Sequence, residues 1–387
     1  MITIHSPRTC VGPNGKSRLA ARISFGENVS EMWLDVPKEY EAWLCDDRCD
    51  AFLVAIIYWA LIKGEDIVCE APVTENLLYK LREYLVEGLV KADGRLKGIS
   101  IEASPIPCIS SKKDGAVVTG MSCGIDSFHA LAHLMQSDYA GLRPTHLLFN
   151  KVGAQGSDPI GEEQHRFRVA NARALSKEAG LPLIEVESNV HLLIPLKHEV
   201  HGGYRNAFVI FALQCGISAY FLASSKILPQ LDMSQHHIFY TFYDLVLMDV
   251  FSSPCLQFYS EGANLTRFEK TRELVSFAPS YTHLNVCFWA KGGDGRNCTV
   301  NCEKCQRTIL DLEALGCLEK YSSVFDLDLY HANQGRLFKN AIKLYARGNK
   351  GYKGSWPWLQ KQWPVRSRIL YAWYRFLDFF RKMGKRR

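Results

Sequence analysis

The sequence predicts an α/β fold in which helices cover both faces of a parallel sheet. From residue 116 onward, short β-branched or apolar segments alternate with longer segments of helical spacing, as in chains built from βαβ units. Of the 387 residues, 47% are hydrophobic and 22% are charged. This balance is typical of a globular protein with a sizeable core, so both observations favour the same class.

The alternating part of the chain predicts the order of the elements. We expect strands at 116–120, 145–150, 181–188 and 219–224, and helices at 126–135, 161–179 and 205–216. Sheets of this kind bind ligands beyond the carboxyl ends of their strands. The loop that follows the first of these strands is therefore the first candidate for a site.

Three parts are expected along the chain. Residues 1–110 predict an accessory unit of α/β or α+β type, in which extended stretches alternate with two helical patterns. Two prolines and a charged turn make residues 105–115 typical of a linker. A central domain at 116–325 and a tail at 331–387 complete the prediction.

The tail differs from the rest of the chain in charge. Residues 331–387 carry fifteen Lys or Arg and one acid, whereas residues 1–330 carry 31 basic and 39 acidic residues. On a helix from about Arg366 to Lys382, one face carries four apolar side chains: Ile369, Trp373, Phe376 and Phe380. The far side carries Arg368, Arg375 and Lys382. Such a helix suits the acidic remainder of the same chain, an anionic membrane surface or a nucleic acid.

No pattern in the sequence predicts a membrane span or an exported protein. No apolar run reaches the roughly 18–20 residues of a spanning helix. The N-terminus MITIHSPRTC lacks the charged and then apolar segments of a secretory signal. We therefore expect a cytoplasmic protein, and the basic tail is the segment that would bring it to the membrane periphery.

The stretch GMSCGIDSFHAL, residues 120–131, predicts an anion site. A strand that ends at Gly120 is followed by small residues and then by a helix, so backbone N–H groups of the loop and of the helix N-terminus would face one space. Ser122 and Ser127 would add hydroxyl donors, and Asp126 would cap the helix or hold Mg²⁺ beside phosphates. The alternative is an ordinary strand-to-helix turn. The Walker and dinucleotide-binding patterns are both missing.

Four of the thirteen cysteines lie within nineteen residues and predict a metal site. Cys287, Cys298, Cys302 and Cys305 are separated by ten, three and two residues, a spacing that closes a tetrahedral thiolate shell around Zn²⁺. Four protein ligands leave no open position, so this zinc would be structural. An iron–sulfur cluster is the alternative. We expect most of the other nine cysteines to be small buried side chains.

The segment SCGIDS resembles the S-G-G-x-D-S loop of the PP-loop superfamily, the N-type ATP pyrophosphatases. A PP-loop at the start of a domain, an Arg205–Asn206 pair on a central helix and a four-cysteine site at the end are together similar to the 7-cyano-7-deazaguanine synthase family. The resemblance covers about half the chain. The sequence departs from the pattern at Cys123, where the family has glycine, and a side chain there is tolerable if Cys123 keeps a negative φ.

The resemblance implies a fold of the adenine nucleotide alpha hydrolase-like, HUP type and an ATP-dependent ligase with ATP, Mg²⁺ and Zn²⁺. Such an enzyme activates a carboxyl or carbonyl group as an adenylate, releases pyrophosphate and admits a nitrogen nucleophile. The alternatives are a tRNA- or sugar-modifying thiolase or amidotransferase, and a degenerate nucleotide-binding scaffold without catalysis. The partners expected are a small-molecule or macromolecular acyl substrate and a second copy in a homodimer.

The resemblance also implies roles for individual residues. The pyrophosphate would lie against the loop, the adenine beside the next strand end, and the substrate beside Arg205 and Asn206, with Ser122, Asp126, Ser127 and Arg205 as the catalytic set. The nucleotide-binding residues would be Gly120, Ser122, Cys123, Gly124, Ile125, Asp126, Ser127, Phe149 and Asn150. We expect Lys270 on a solvated helix face, and His236 and His237 in packing and hydrogen bonding.

Overall fold

The computed structural model describes residues 1–109, 115–156, 158–287 and 296–384, with side chains as far as residue 381. These residues form two compact units. The first consists of Met1–Ser122 and His133–Asn264, and the second of Cys123–Ala132 and Leu265–Arg387. Part of the predicted linker, residues 110–114, lies outside the described residues.

All the described strands belong to the first unit. They are β1 (Ile2–Ile4), β2 (Arg8–Val11), β3 (Ser17–Phe25), β4 (Asn28–Val36), β5 (Ile67–Cys69), β6 (Val73–Thr74), β7 (Ile101–Glu102), β8 (Pro105–Ile106), β9 (Ala116–Gly120), β10 (His146–Lys151), β11 (Leu183–Ser188), β12 (Ile217–Ala223) and β13 (Gln257–Glu261).

Eleven of the strands form one mixed sheet, in the order β13-β12-β9-β10-β11-β4-β3-β1-β5-β7, with β2 beside β3. The five strands from β13 to β11 are parallel to their neighbours. The chain runs outward from β9 through β10 to β11, then returns to place β12 on the other side of β9. This order has a topological switch between β9 and β12, the position at which open α/β sheets bind ligands. The predicted α/β class is confirmed, and the arrangement is compatible with a Rossmann-like fold.

The helices alternate with the strands in the first unit and make up most of the second. They are α1 (Asp50–Lys63), α2 (Glu75–Lys80), α3 (Glu87–Ala92), α4 (Ile125–Gln136), α5 (Pro159–Ala179), α6 (Val190–Leu193), α7 (His198–Ala212), α8 (Asp244–Phe251), α9 (Arg267–Leu274), α10 (Pro279–His283), α11 (Glu303–Ala314), α12 (Leu327–Ala346), α13 (Trp356–Gln362) and α14 (Pro364–Gly384).

The predicted parallel sheet is confirmed from β9 to β13, and strands of the N-terminal segment extend it in antiparallel fashion. β4 pairs with β11 through Ser188 opposite Leu34 and Glu187 opposite Asp35. Asn189 fixes this junction: its Oδ1 accepts from the Trp33 N–H at 2.9 Å and its Nδ2 donates to the Glu31 carbonyl at 2.8 Å. The predicted boundary near residue 110 therefore falls inside one compact unit.

α1 is the helix on which the core of the first unit is built. Its residues are buried on nearly every side from Asp50 to Leu61, and Phe52 meets Phe208 of α7 with ring centroids 5.6 Å apart. A helix that is apolar all round is typical of the middle of a core. The buried residues of α1 and α7 belong to the same hydrophobic cluster as β3 and β4.

The second unit has a core of its own, which includes much of the predicted tail. Leu310 of α11 packs with Phe338 and Ile342 of α12 and with Leu359 of α13. Three tryptophans of the tail are partly buried against this cluster: Trp356, Trp358 and Trp363. The predicted boundary at 325–331 thus also falls inside a compact unit. The predicted basic helix is confirmed as α14.

Candidate anion and metal sites

The loop after β9 leaves the sheet beside the topological switch. Gly120 ends β9 opposite Leu148 of β10, and the Met121 N–H donates to the Leu148 carbonyl at 2.8 Å. A Cβ at position 120 would lie 3.2 Å from the hydroxyl oxygen of Tyr220 on β12. The small residue predicted at this point therefore lies where β9 and β12 approach closely.

Cys123 adopts a backbone conformation that favours glycine. Its φ is +58°, so the condition under which a side chain would be tolerated without strain, a negative φ, is not met. A non-glycine residue in this region carries a strain of about 1–2 kcal/mol. The side chain is 1% exposed, and the carbonyl accepts from the Asn285 N–H at 2.7 Å. The loop thus keeps a glycine-like turn even though the residue is cysteine.

Of the two predicted hydroxyl donors, Ser127 forms a hydrogen bond within the first turn of α4. Ser127 is buried and donates from Oγ to the Gly124 carbonyl at 3.1 Å, the carbonyl that also accepts from the Phe128 N–H at 2.9 Å. Ile125 is buried beneath the turn, whereas Ser122 is exposed. Of the two predicted hydroxyl donors, Ser122 is thus on an exposed residue and Ser127 on a buried one.

Asp126, in the first turn of α4, is paired with two basic residues of α9. Its Oδ2 is 2.7 Å from Arg267 Nη1 and its Oδ1 is 3.5 Å from Lys270 Nζ. Arg267 and Lys270 are three residues apart and so share a face of α9. The expectation that Lys270 lies on a solvated face is wrong, because its side chain is almost fully buried.

Two more basic residues act on the same carboxylate. Burial on its own would raise the pKa of Asp126, but Arg267, Lys270, Arg307 and Lys304 outweigh that effect and hold the pKa below its usual value. Burial and the neighbouring charge of Arg267 lower the pKa of Arg307. Four cations around one carboxylate leave an excess of positive charge at the N-terminus of α4, which itself favours anions.

Several buried polar atoms near these cations have no hydrogen-bond partner among the described residues. They include Nε of Arg267, Nε of Arg307 and Oη of Tyr352. Buried polar groups in folded proteins are nearly always hydrogen-bonded to protein, water or a ligand. This part of the second unit is therefore suited to hold polar molecules.

Arg205, expected to bind substrate, holds backbone carbonyls. The guanidinium is almost fully buried, and it donates to the carbonyls of Val152 at 3.1 Å, Ile194 at 3.1 Å and Leu196 at 2.6 Å. Burial lowers the pKa of Arg205 to about 10. Arg205 is the eighth residue of α7 rather than near its start. Its contacts join α7 to the segments after β10 and α6, and a role toward substrate stays a prediction.

Asn206 lies beside the predicted adenine-binding residues at the end of β10. Its Oδ1 accepts from Asn150 Nδ2 at 3.1 Å, and Oδ1 of Asn150 is buried without a partner in the described part of the chain. Phe149 is buried, with its ring centroid 5.6 Å from that of His165. The structure thus brings Asn150 and Asn206 together and leaves one amide oxygen available.

The four clustered cysteines are arranged as a metal site. Sγ of Cys287 lies 3.9 Å from that of Cys302, and Sγ of Cys298 lies 3.6 Å from that of Cys305. All four sulfurs lie within 4.8 Å of one another. A tetrahedron with Zn–S bonds of about 2.3 Å has edges of about 3.8 Å. The cluster therefore fits a metal such as zinc, while the glycine-rich segment 288–295 lies outside the described residues.

Asn297 supports this metal site and was not predicted from the sequence. Its Oδ1 accepts from the N–H groups of Val286 at 2.8 Å and Cys287 at 3.1 Å, and its Nδ2 donates to the carbonyls of Leu284 and Val324. Hydrogen bonds of this kind, from a residue that is not itself a ligand, orient the ligands of a metal. The only signal in the sequence is its place next to Cys298.

The metal site also positions two of the basic residues. Cys302 caps α11, its Sγ accepting from the Cys305 N–H at 3.4 Å. Lys304 and Arg307 lie in the first two turns of the same helix. A bound metal would therefore fix the start of the helix that carries half of the cation cluster.

His236 and one pair of cysteines outside these sites are engaged in bonds. His236 is buried, with Nδ1 2.6 Å from Tyr58 Oη and Nε2 3.1 Å from Asp93 Oδ2, which confirms the expected packing role. Cys108 and Cys255 form a disulfide, which the sequence did not predict.

In comparisons with known proteins, no family model, curated protein or solved structure matches the chain. The resemblance to the PP-loop superfamily therefore rests on the residues of this chain alone. Within the described ranges, no helix combines the length and the apolar character needed to cross a lipid bilayer.

Proposed function

We propose that the protein is an ATP-dependent ligase of the PP-loop type, in which the loop at 120–127 binds the pyrophosphate part of ATP. The reaction would activate a carboxyl or carbonyl group as an adenylate and join it to nitrogen. The HUP-type fold and the bound Mg²⁺ belong to this proposal.

The observation that carries the proposal is the cation cluster at the N-terminus of α4. Arg267 and Lys270 contact Asp126 directly, and Arg307 and Lys304 are close enough to lower its pKa further. Pyrophosphate carries several negative charges and accepts hydrogen bonds on every oxygen, so it suits guanidinium groups with unused N–H donors. Nε of Arg267 and Nε of Arg307 meet that description within the described residues.

Two features of the first unit also support a nucleotide. The loop begins at the switch between β9 and β12, the usual ligand position in such sheets. At the end of β10, the buried Oδ1 of Asn150 has no partner among the described residues, and an amide oxygen accepts readily from the exocyclic amine of adenine.

The proposed reaction requires the protein mainly to neutralise negative charge on the phosphates and to orient the reacting groups. A substrate oxygen attacks the α-phosphorus of ATP, the bond to the bridging oxygen breaks, and pyrophosphate leaves. A nitrogen nucleophile then attacks the activated carbon, loses a proton and expels AMP. The negative charge that builds up on the leaving pyrophosphate is where preorganised cations lower the barrier most.

Calorimetric titration of the full-length protein with inorganic pyrophosphate and with ATP and Mg²⁺ tests the proposal. We expect both to bind, and we expect Arg267→Met and Lys270→Met each to weaken binding by at least about tenfold, a loss of about 1.4 kcal/mol. Arg336→Met is the matched control, because Arg336 is an exposed basic residue of α12. Absence of binding by the wild type, or equal binding by Arg267→Met, overturns the proposal.

The backbone at Cys123 favours one alternative, a nucleotide-binding scaffold without turnover. Its positive φ keeps the turn that glycine usually makes, but a residue other than glycine is strained in that conformation. A chromatographic assay of ATP products separates the two, since the ligase forms AMP and pyrophosphate from ATP in a metabolite mixture with ammonium. Formation of ADP and phosphate would contradict both.

A further inference from the structure

The last helix, α14, presents a continuous apolar stripe to solvent. We define this stripe as the five residues on one face of the helix. They are Val365, Ile369, Trp373, Phe376 and Phe380, exposed to 69%, 63%, 54%, 54% and 53%. Leu377 and Phe379 beside it are exposed as well. Exposed apolar patches of this extent are uncommon and mark interaction sites.

The opposite face of α14 is attached to the second unit. Leu370, Tyr371 and Tyr374 pack against the cluster built on Phe338 and Ile342, and Ser367 is fully buried. The ring centroids of Tyr371 and Trp356 lie 5.3 Å apart. The helix is therefore held in place by one side, and the apolar stripe is the side left over.

Basic residues lie on both sides of the stripe. With 100° between successive residues, Arg366 lies next to the stripe on one side and Arg381 follows it, whereas Arg368 and Arg375 lie about 60–80° beyond the other edge; all four are exposed. Residues 364–387 contain eight Lys or Arg and one acid, Asp378, and Asp378 is buried on the attached side. The exposed surface of α14 thus carries only positive charge around an apolar centre.

The combination of an apolar stripe with surrounding positive charge indicates which kind of partner α14 binds. A second copy of the chain would bring two strongly basic helices together, and their charges would repel. A nucleic acid would match the charge but not the apolar stripe, and three of the four tail tryptophans are packed in the core. An anionic lipid surface satisfies both, because apolar side chains enter the acyl boundary while Arg and Lys meet phosphate headgroups.

We propose that α14 is an interfacial helix that lies in the plane of an anionic membrane and holds the protein at its surface. The proposal is independent of the ATP site and holds whether or not the protein is a ligase. An aromatic residue such as Trp373 in the stripe is typical of the membrane–water interface.

Flotation of the full-length protein with lipid vesicles tests this. We expect it to float with phosphatidylcholine vesicles that contain one-third phosphatidylglycerol, and to remain below with phosphatidylcholine alone. The double variant Trp373→Ser, Phe376→Ser should have a vesicle partition coefficient at least about tenfold lower than that of the wild type. The double variant Arg368→Gln, Arg375→Gln should dissociate from the vesicles at a lower salt concentration than the wild type. Because all four residues are exposed, thermal unfolding should be nearly unchanged.

The controls remove comparable side chains elsewhere. Tyr139→Ser deletes an aromatic that is also exposed, and Arg336→Gln deletes an exposed charge on α12; neither should change flotation. Failure of the wild type to float with anionic vesicles overturns the proposal. So does a wild-type dimer that dissociates in the Trp373→Ser, Phe376→Ser variant, or salt-sensitive RNA binding that the same variant abolishes.

Discussion

Asp126 and Arg267 form a salt bridge of 2.7 Å although 141 residues separate them in the chain. One lies in the first turn of α4, and the other is the first residue of α9. The bridge ties the end of the predicted anion loop to the helix that supplies two cations. In the absence of an anion, the carboxylate offsets part of their charge.

Removal of that carboxylate should therefore strengthen anion binding. We expect Asp126→Asn to bind Mg²⁺-free pyrophosphate about tenfold more tightly, since the cations no longer have an internal competitor. Calorimetry on Asp126→Asn and on Asp328→Asn, an exposed control on α12, measures the effect. Equal or weaker binding by Asp126→Asn would mean that the carboxylate does not compete with the anion.

The left-handed backbone at Cys123 predicts that replacement by glycine gives a more stable protein than replacement by alanine, the reverse of the usual order. Both Cys123→Gly and Cys123→Ala lose the buried sulfur, but only glycine relieves the strain at φ +58°. We expect Cys123→Gly to be more stable than Cys123→Ala by about 1 kcal/mol in urea unfolding. Cys49 is buried with φ −87°, so alanine should be the more stable replacement there. Alanine ahead of glycine at both positions would argue against the strained turn.

Metal removal should affect both stability and anion binding. We expect about one zinc per chain by elemental analysis, in line with a tetrahedral four-thiolate site, and a loss of metal in Cys305→Ser. Chelation should cost several kcal/mol of stability and weaken pyrophosphate binding, because Lys304 and Arg307 follow the ligands on α11. Cys317→Ser, outside the cluster, is the control. A metal-free chain with unchanged unfolding would contradict the structural role.

Asp311 predicts a pH dependence of stability. Burial raises the pKa of Asp311 to about 7, whereas an unfolded aspartate titrates near 3.9. Between these values the folded state keeps a proton that the unfolded state has lost. The free energy of unfolding therefore falls as the pH rises, by up to about 1.4 kcal/mol per pH unit.

Asp311→Asn removes the titration and should flatten that decline between about pH 4 and pH 7. Urea unfolding at several pH values compares it with the wild type and with Asp328→Asn. A slope in Asp311→Asn as steep as in the wild type would assign the pH dependence to other groups.

The sequence predicted the central strands and helices well because their signals are local. Alternation after residue 116 located β9 to β12, and the amphipathic pattern located α14. Antiparallel pairing of β4 with β11 joins residues about 150 positions apart, and it depends on contacts of Asn189 that no local pattern specifies. The same holds for the disulfide between Cys108 and Cys255.

The candidate sites were predicted only in part, because only some of their residues have a local signal in the sequence. Cysteine spacing located the metal cluster, since ligand gaps are a short-range constraint. Lys270 and Arg267 were missed as site residues because each lies in a charged helical segment whose buried face depends on α4. Arg205 was predicted to bind substrate, whereas its contacts in the structure are with carbonyls, which a motif cannot distinguish from contacts with a ligand.

A crystal structure of the protein with Mg²⁺ and an ATP analogue that carries a methylene bridge between the α- and β-phosphorus is the decisive test of whether the loop at 120–127 binds pyrophosphate. We expect β- and γ-phosphate oxygens at the N–H groups of residues 122–127, within hydrogen-bond distance of Arg267. Phosphates bound elsewhere, or crystals that exclude the analogue while Arg267 keeps its bridge to Asp126, would contradict it.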